Sequence, residues 1–272
     1  TTMMRACDSL RFCWANDRDY EYFTEAARGA DATVRAFIDE MPHLCVQGPK
    51  SREILQGLTA SDLSNAAFPY YTFREDVEIA GIGLFMTRLG YTAELGFELW
   101  VDEGRALDLW DALIEAGEPH GLAVIGMDAL DLFRIEGGFI IGGVEYDNTV
   151  SPYECGLGWT VALDKGDFQG RAGLERDRDA TELRLTSVVL DSAGAEASGA
   201  PLTADGDEVG LVTQAVESPL LGTTLGLAKI REDATAPGTA VEARIGDATI
   251  GGEVVEHPVY DPARTRAKGT GA

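Results

Sequence analysis

Residues 89–101 read LGYTAELGFELWV and hold two carboxylates four positions apart, Glu94 and Glu98. Glu98 lies in a strand-like run, Phe97-Glu98-Leu99-Trp100-Val101, where alternation sends it to the face opposite Phe97 and Leu99. A carboxylate in that place is either solvated or held ready for a ligand edge that carries adjacent N–H donors. Thirty-five residues on, FRIEGG (133–138) puts Arg134 and Glu136 at the end of an apolar helical stripe, as surface charges or a local pair. Other chemistries have weaker footing. His43, His120 and His257 show no HxxxH or HxxE spacing, and Cys7, Cys13, Cys45 and Cys155 form no CxxC, which argues against metal ligation and a disulfide framework. There is no GxSxG elbow. The GxG at Gly81–Gly83 lacks the third glycine of a dinucleotide fingerprint, and GPKS (48–51) lacks phosphate-loop spacing.

Forty-six acidic residues face 22 basic ones, for a formal net charge of −24. Such a surface repels phosphate backbones, so no nucleic-acid partner is expected. The acid excess, with lysine only at positions 50, 165, 229 and 268, suits a chain kept soluble in high salt. No apolar run approaches the ~20 residues of a membrane span and no signal pattern opens the chain, so a cytoplasmic protein without a membrane partner is expected.

The elements that would position these groups change character along the chain. Asn16 to Arg28 reads as a helix stopped by Gly29, and Ala32 to Ile38 as a short alternating strand. In residues 47–58, Pro49 suits a first helical turn, with Ile54, Leu55 and Leu58 on one face. Strands are expected at Val77–Ile79 and Leu84–Thr87. A helix is expected over Glu103–Ala116, with Leu107, Trp110, Leu113 and Ile114 inward and Gly117 as its stop. A second is expected over Met127–Glu136 with Leu130 and Phe133 inward. ERDRDATE (175–182) reads as a polar linker, beyond which Leu183–Leu190, Val209–Val216, Leu225–Ile230, Val241–Ile245 and Thr249–Val255 are strands of a small barrel or sandwich. The order of elements implies an α+β or α/β fold: a mixed α/β region over 1–178, then a β-rich domain, barrel or sandwich, over 179–272.

Several segments, in order and over nearly the whole chain, resemble the aminomethyltransferase family, the glycine cleavage T-protein and its folate-dependent relatives. CVQGPKSREIL (45–55) is similar to that family's QGP helix, RLGYTAELGFELWV (88–101) to its GYTGExGFE signature, and GMDALDLFRIEGG (126–138) to its RLEAG helix. VEYDNTVSPYECGLGWTV (144–161), DFQGRAGL (167–174) and GLVTQAVESPLLGTTLGLAKI (210–230) resemble the family's later blocks. The resemblance implies a tetrahydrofolate site in a mixed α/β region followed by a C-terminal barrel. By motif match, Glu98 takes the place of the glutamate that binds the pterin's amino and ring N–H groups, and Tyr91 that of the tyrosine beside the folate. Arg134, in the matched RLEAG helix, is a further cofactor-binding candidate. It also implies a lipoyl-carrier protein as partner: an aminomethyl group on a lipoyl sulfur passes to tetrahydrofolate, ammonia leaves, and 5,10-methylenetetrahydrofolate forms.

Two departures stand out. Glycine-cleavage members carry Arg where this chain has Leu130, and ALD (129–131) is closer to the folate domains of dimethylglycine and sarcosine dehydrogenases, which keeps a folate-dependent S- or O-demethylase as an alternative. The family's catalytic aspartate lies in an N-terminal DDL segment, and this chain starts close to or just after that place; Asp8, in CDSL, is the candidate counterpart. A folate-binding module without transferase activity is a third reading. The assembly-factor branch carries KGCYxGQ, whereas Lys165-Gly166 is followed here by Asp167.

Overall fold

The computed structural model describes residues 2–13 and 17–270. The chain separates into two compact units, one made of residues 1–90, 94–124 and 265–272, the other of 91–93 and 125–264.

The first unit is built on a four-stranded antiparallel sheet, because alternating apolar residues in four segments give each strand one face to bury. The strands are β3 (His43–Gln47), β4 (Phe73–Ile79), β5 (Ile82–Thr87) and β6 (Gly96–Trp100), in spatial order β3-β6-β5-β4; β1 (Thr2–Arg5) and β2 (Leu10–Cys13) form a separate ribbon. One sheet face, with Val46, Leu84, Met86, Phe97 and Leu99, packs on Leu55 of α2 (Ser51–Gln56) and on Leu109 and Leu113 of α3 (Ala106–Gly117). Helix α1 (Asp17–Ala26) matches the expected first helix but ends two residues before Arg28, in a turn; Asn16 lies outside the described residues.

Three expectations are corrected here. Ala32–Ile38 forms no strand, and Ile38 already lies in a turn, since the segment's side chains are largely exposed and offer no apolar face to bury. On α3 the inward residues are Leu109 and Leu113, while Leu107 (78% exposed), Trp110 and Ile114 face outward. The expected stripe lies one helical face too far round, because apolar residues stand on both sides of this helix. The helix also runs through Gly117 into a 3-10 turn, Glu118–His120, closed by Gly121.

The second unit holds a closed six-stranded barrel with neighbours in the order β10-β7-β12-β11-β8-β9. Its strands are β7 (Leu183–Leu190), β8 (Pro201–Ala204), β9 (Asp207–Ser218), β10 (Thr223–Arg231), β11 (Ala240–Ile245) and β12 (Ala248–Val255). Val188, Leu202, Val212, Ala228, Ile230, Val241 and Val254 fill the interior. Leu225 and Leu227 face outward from the same β10 and are covered by Ile135 of α4 (Met127–Glu136). That double burial is why TLGLAKI reads as nearly continuous apolar sequence. Phe133, expected inward, is 37% exposed, and the inward residues at the end of α4 are Arg134, Ile135 and Glu136. The expected linker is a helix, α5 (Arg171–Ala180), held by local pairs such as Arg171 Nε to Glu175 at 2.9 Å; a polar sequence was no bar because the helix buries none of its residues. The chain then returns to the first unit through α6 (Thr265–Lys268).

Gly210 marks the tightest point of the barrel wall. It sits at φ +155° next to the register shift with β8 and three residues before the one with β10, and a Cβ there would lie 1.9 Å from the Lys229 carbonyl oxygen. A backbone atom cannot swing aside as a side chain can. Gly210→Ala is expected to cost roughly 2 kcal/mol in a urea titration; a midpoint equal to that of the parent would show that the wall relaxes freely.

Candidate functional site

Residues paired across a β-ladder project to the same side. The register pairs Cys45 with Glu98 and Glu98 with Thr87, and pairs His43 with Trp100 and Trp100 with Phe85. These six side chains therefore share the sheet face opposite the helix-packed core. The β1–β2 ribbon covers part of that face: Arg11 lies 4.4 Å over the Phe85 ring and pairs with Glu75 at 2.9 Å. Between ribbon and sheet, Met4, Phe12, Phe37, Met41, Phe85 and Trp100 line a small apolar cleft.

Glu98 is half-buried beside this cleft. Thr87, itself fully buried, donates its hydroxyl to Glu98 Oε2 at 2.8 Å, which fixes the carboxylate plane. The second oxygen, Oε1, has no protein hydrogen bond among the described residues. Crowding by surrounding atoms, then the Glu98 charge, pushes the Cys13 thiol up to about 11 and the Cys45 thiol up to about 12, although Cys45 keeps exposed surface, so both are neutral thiols at pH 7. A carboxylate with one oxygen anchored and one free, next to flat aromatic surfaces, suits a planar ligand whose edge presents N–H donors.

Glu94 faces a different surrounding and pairs with Arg266 at 3.5 Å. The loop between the two glutamates is held by Arg88, which is fully buried: its guanidinium donates to the carbonyls of Gly96 (3.0 Å) and Ala267 (2.9 Å) and lies 4.9 Å over the Phe97 ring. Burial lowers Arg88 to about 10, still charged at neutral pH. The anchoring role of this arginine is hidden in the sequence, because its partners are backbone atoms distant along the chain.

Tyr91 and Arg134 belong to the second unit, Glu98 to the first. The Tyr91 hydroxyl donates to the Ile140 carbonyl, and its ring packs 5.2 Å from Phe139; burial raises its pKa, so it stays neutral. Arg134 is 1% exposed and its donors are engaged by protein acceptors: Nε with Asp131 (2.9 Å), Nη1 with the Phe139 carbonyl (3.1 Å) and Glu145 (3.2 Å), and Nη2 with Gln214. Glu145 is fully buried and also accepts from the Ile141 N–H (2.8 Å) and the Thr213 hydroxyl (3.0 Å). Arg134 is thus the centre of a buried network rather than a surface charge, and Glu136, read with it as a possible pair, instead accepts from Ser218 at 2.6 Å. Sequence reasoning misses Glu145; its only signal is a place in the VEYDNTVSP block.

Asp8 is exposed in the tight turn of the β1–β2 ribbon, closed by the Ala6 N–H to the Ser9 carbonyl at 2.9 Å. The Cys13 end of the ribbon is the one that feels Glu98. At about 3.3 Å per residue, Asp8 lies on the order of 15 Å along the ribbon from Cys13. The structure does not bring Asp8 to Glu98. Among the described residues, no helix is long and apolar enough to cross a membrane.

Residues 11–165 match the family model described as GCVT N-terminal domain, and residues 184–261 that of the glycine cleavage T-protein C-terminal barrel domain. A protein of Alkaliphilus oremlandii named aminomethyltransferase is 33% identical over 90% of this chain and 66% of its own length. Its namesake in Halothermothrix orenii is 35% identical over 81% of this chain and 61% of its own. This chain thus spans a little under two thirds of these relatives. The crystal structure of the glycine cleavage system aminomethyltransferase T from Bartonella henselae shares the fold at a TM-score of 0.78, with 22% identity, over 90% of this chain and 66% of that one. The mixed α/β region and the closed barrel, each matched by its own model, place the chain in the glycine cleavage T-protein (GCVT) family.

Proposed function

We propose that this chain is part of a tetrahydrofolate-dependent aminomethyltransferase, and that Glu98 holds the pterin edge. The observation that carries the reading is the state of the Glu98 carboxylate: Oε2 anchored by Thr87 at 2.8 Å, Oε1 without a protein partner, apolar cleft alongside. The donor set fits the group. A pterin presents an amino group and a ring N–H side by side, and a carboxylate accepts both with charge-assisted bonds. Trp100, which His43 stacks on its own side at 4.2 Å, adds an aromatic face near the cleft.

Tetrahydrofolate, when bound, supplies the nucleophilic nitrogen that takes up the one-carbon unit. The residues of this chain bind and orient it. Glu98 fixes the ring edge, and Thr87 keeps the carboxylate from rotating away. With its hydroxyl proton given to the Ile140 carbonyl, Tyr91 can offer a ligand its ring and a hydroxyl oxygen that accepts. Arg134 has a positioning role, since its donors are taken within the fold. Asp8 carries no step in this reading. The family names of the relatives support an aminomethyl donor, and a lipoyl-carrier protein is the partner proposed to deliver it.

Glu98→Ala tests the assignment. Removing a charged acceptor of two hydrogen bonds is expected to weaken tetrahydrofolate binding about 30-fold, read from quenching of tryptophan fluorescence. Circular dichroism identical to the parent would show that the fold is kept. Unchanged affinity would defeat the role given to Glu98.

A further inference from the structure

Strand geometry creates a second arrangement around Glu98 that helix-type spacing rules overlook. His43 and Cys45 are two residues apart on β3, so both face the same side, and Cys45 stands directly opposite Glu98 in the ladder. One ligand atom from each, an imidazole nitrogen, the thiol sulfur and a carboxylate oxygen, lies within 4.8 Å of the other two. The expectation from sequence that no histidine is placed to bind metal rests on local spacing, and the sheet brings the third group from a different strand.

We propose that His43, Cys45 and Glu98 form a binding site for a single zinc-class divalent cation, with a fourth position open to solvent. The ligand types, one nitrogen, one sulfur and one carboxylate oxygen, are those that zinc accepts, and three protein ligands with an open position is one of its standard arrangements. In a tetrahedral zinc site with bonds of about 2.0–2.3 Å, ligand atoms sit about 3.3–3.8 Å apart. From separations within 4.8 Å, closure needs shifts of about 1 Å. His43 and Cys45 are exposed, so rotations about their own bonds supply that movement without disturbing the core.

Two of the three groups are already held. The His43 ring stacks on Trp100 at 4.2 Å and 17°, and the Glu98 carboxylate is oriented by Thr87. Such supporting contacts orient ligands in metal sites. Binding replaces the Cys45 thiol proton, which passes to solvent, by the metal–sulfur bond. The site shares Glu98 with the folate reading but does not rest on it, because that reading gives neither His43 nor Cys45 a contact with the folate.

The test is Zn2+ titration of the whole chain, kept reduced, in competition with a chromogenic chelator, with Co2+ absorption as the report on sulfur ligation. One ion per chain is expected, with at least a tenfold loss of affinity in Cys45→Ser and in His43→Gln and none in the control Cys7→Ser. The Co2+ spectrum should lose its thiolate charge-transfer band in Cys45→Ser alone among these three. Absence of stoichiometric binding, or binding indifferent to Cys45→Ser and His43→Gln, would overturn the proposal. Tetrahydrofolate affinity measured on the same variants separates the two readings. His43→Gln and Cys45→Ser should retain it within about threefold, while Glu98→Ala loses both ligands. Zinc binding without folate binding would sink the folate reading alone, and the reverse result would sink this one alone.

Discussion

Replacing Arg134 by methionine is expected to destabilise the protein by about 3–5 kcal/mol, because it leaves the buried Glu145 carboxylate without its cation. Arg134 is 1% exposed and Glu145 fully buried, so water cannot take over the lost interaction. The side chain also ties α4 to the loop beyond it, through the Phe139 carbonyl, and to β9 through Gln214. Methionine matches much of the arginine stem, which limits the cavity and isolates the electrostatic loss. The double variant Arg134→Met/Glu145→Gln should recover a large part of the deficit. Glutamine is neutral, and its amide oxygen can still accept from the Ile141 N–H that Glu145 bonds at 2.8 Å. The Thr213 hydroxyl, now shared between Glu145 and the Leu227 carbonyl, keeps the latter. Urea unfolding followed by tryptophan fluorescence gives all three values. A single-variant loss below about 1 kcal/mol, or a double variant no better than the single, would show that the pair is not the keystone of this region.

The second large effect is a fall in stability with acidification, centred on His257. Its ring is held near the barrel, with Nδ1 2.8 Å from the Ser187 hydroxyl. A Cβ on Gly138, at φ +67° after α4, would sit 2.8 Å from that ring, so only glycine lets the helix end come so close. Burial first, and the Arg264 charge second, lower His257 from 6.5 to about 4. In the unfolded chain the imidazole takes its proton near 6.5, whereas in the fold it resists until about 4. The unfolded state therefore binds more protons across that interval. The stability from the neutral, half-buried ring is fully present above pH 6.5 and is lost as pH falls towards 4, in total about 3 kcal/mol at most. His257→Gln, which retains a partner for Ser187 and does not titrate, should be less sensitive to pH over that window. Parallel stability–pH curves for parent and variant between pH 7 and 4 would remove His257 as the source.

Legibility in the sequence divides along the range of the interactions. Leu183–Leu190 and Met127–Glu136 are bounded from sequence to the residue, because period-2 and period-3.6 patterns are written in neighbouring positions. β8, only Pro201–Ala204, is too short to show a pattern, and its pairing with β9 and β11 decides it. For α3 the helix is legible but its inward face is not: Leu107, Trp110 and Ile114 are as apolar as Leu109 and Leu113, and the sheet below chooses among them.

The site shows the same division more sharply. The sequence by itself determined that Glu98 stands on a strand with its neighbours buried, and its ordered motifs determined the family. It could not determine what faces Glu98. Thr87, Cys45 and His43 meet it only through the ladders of β5 and β3, and Glu145 meets Arg134 only after the chain has turned beyond α4. Local patterns record which face of an element is buried, since that is a property of successive residues. Which groups then share the space outside that face depends on strand order and register, which only the packed tertiary structure sets.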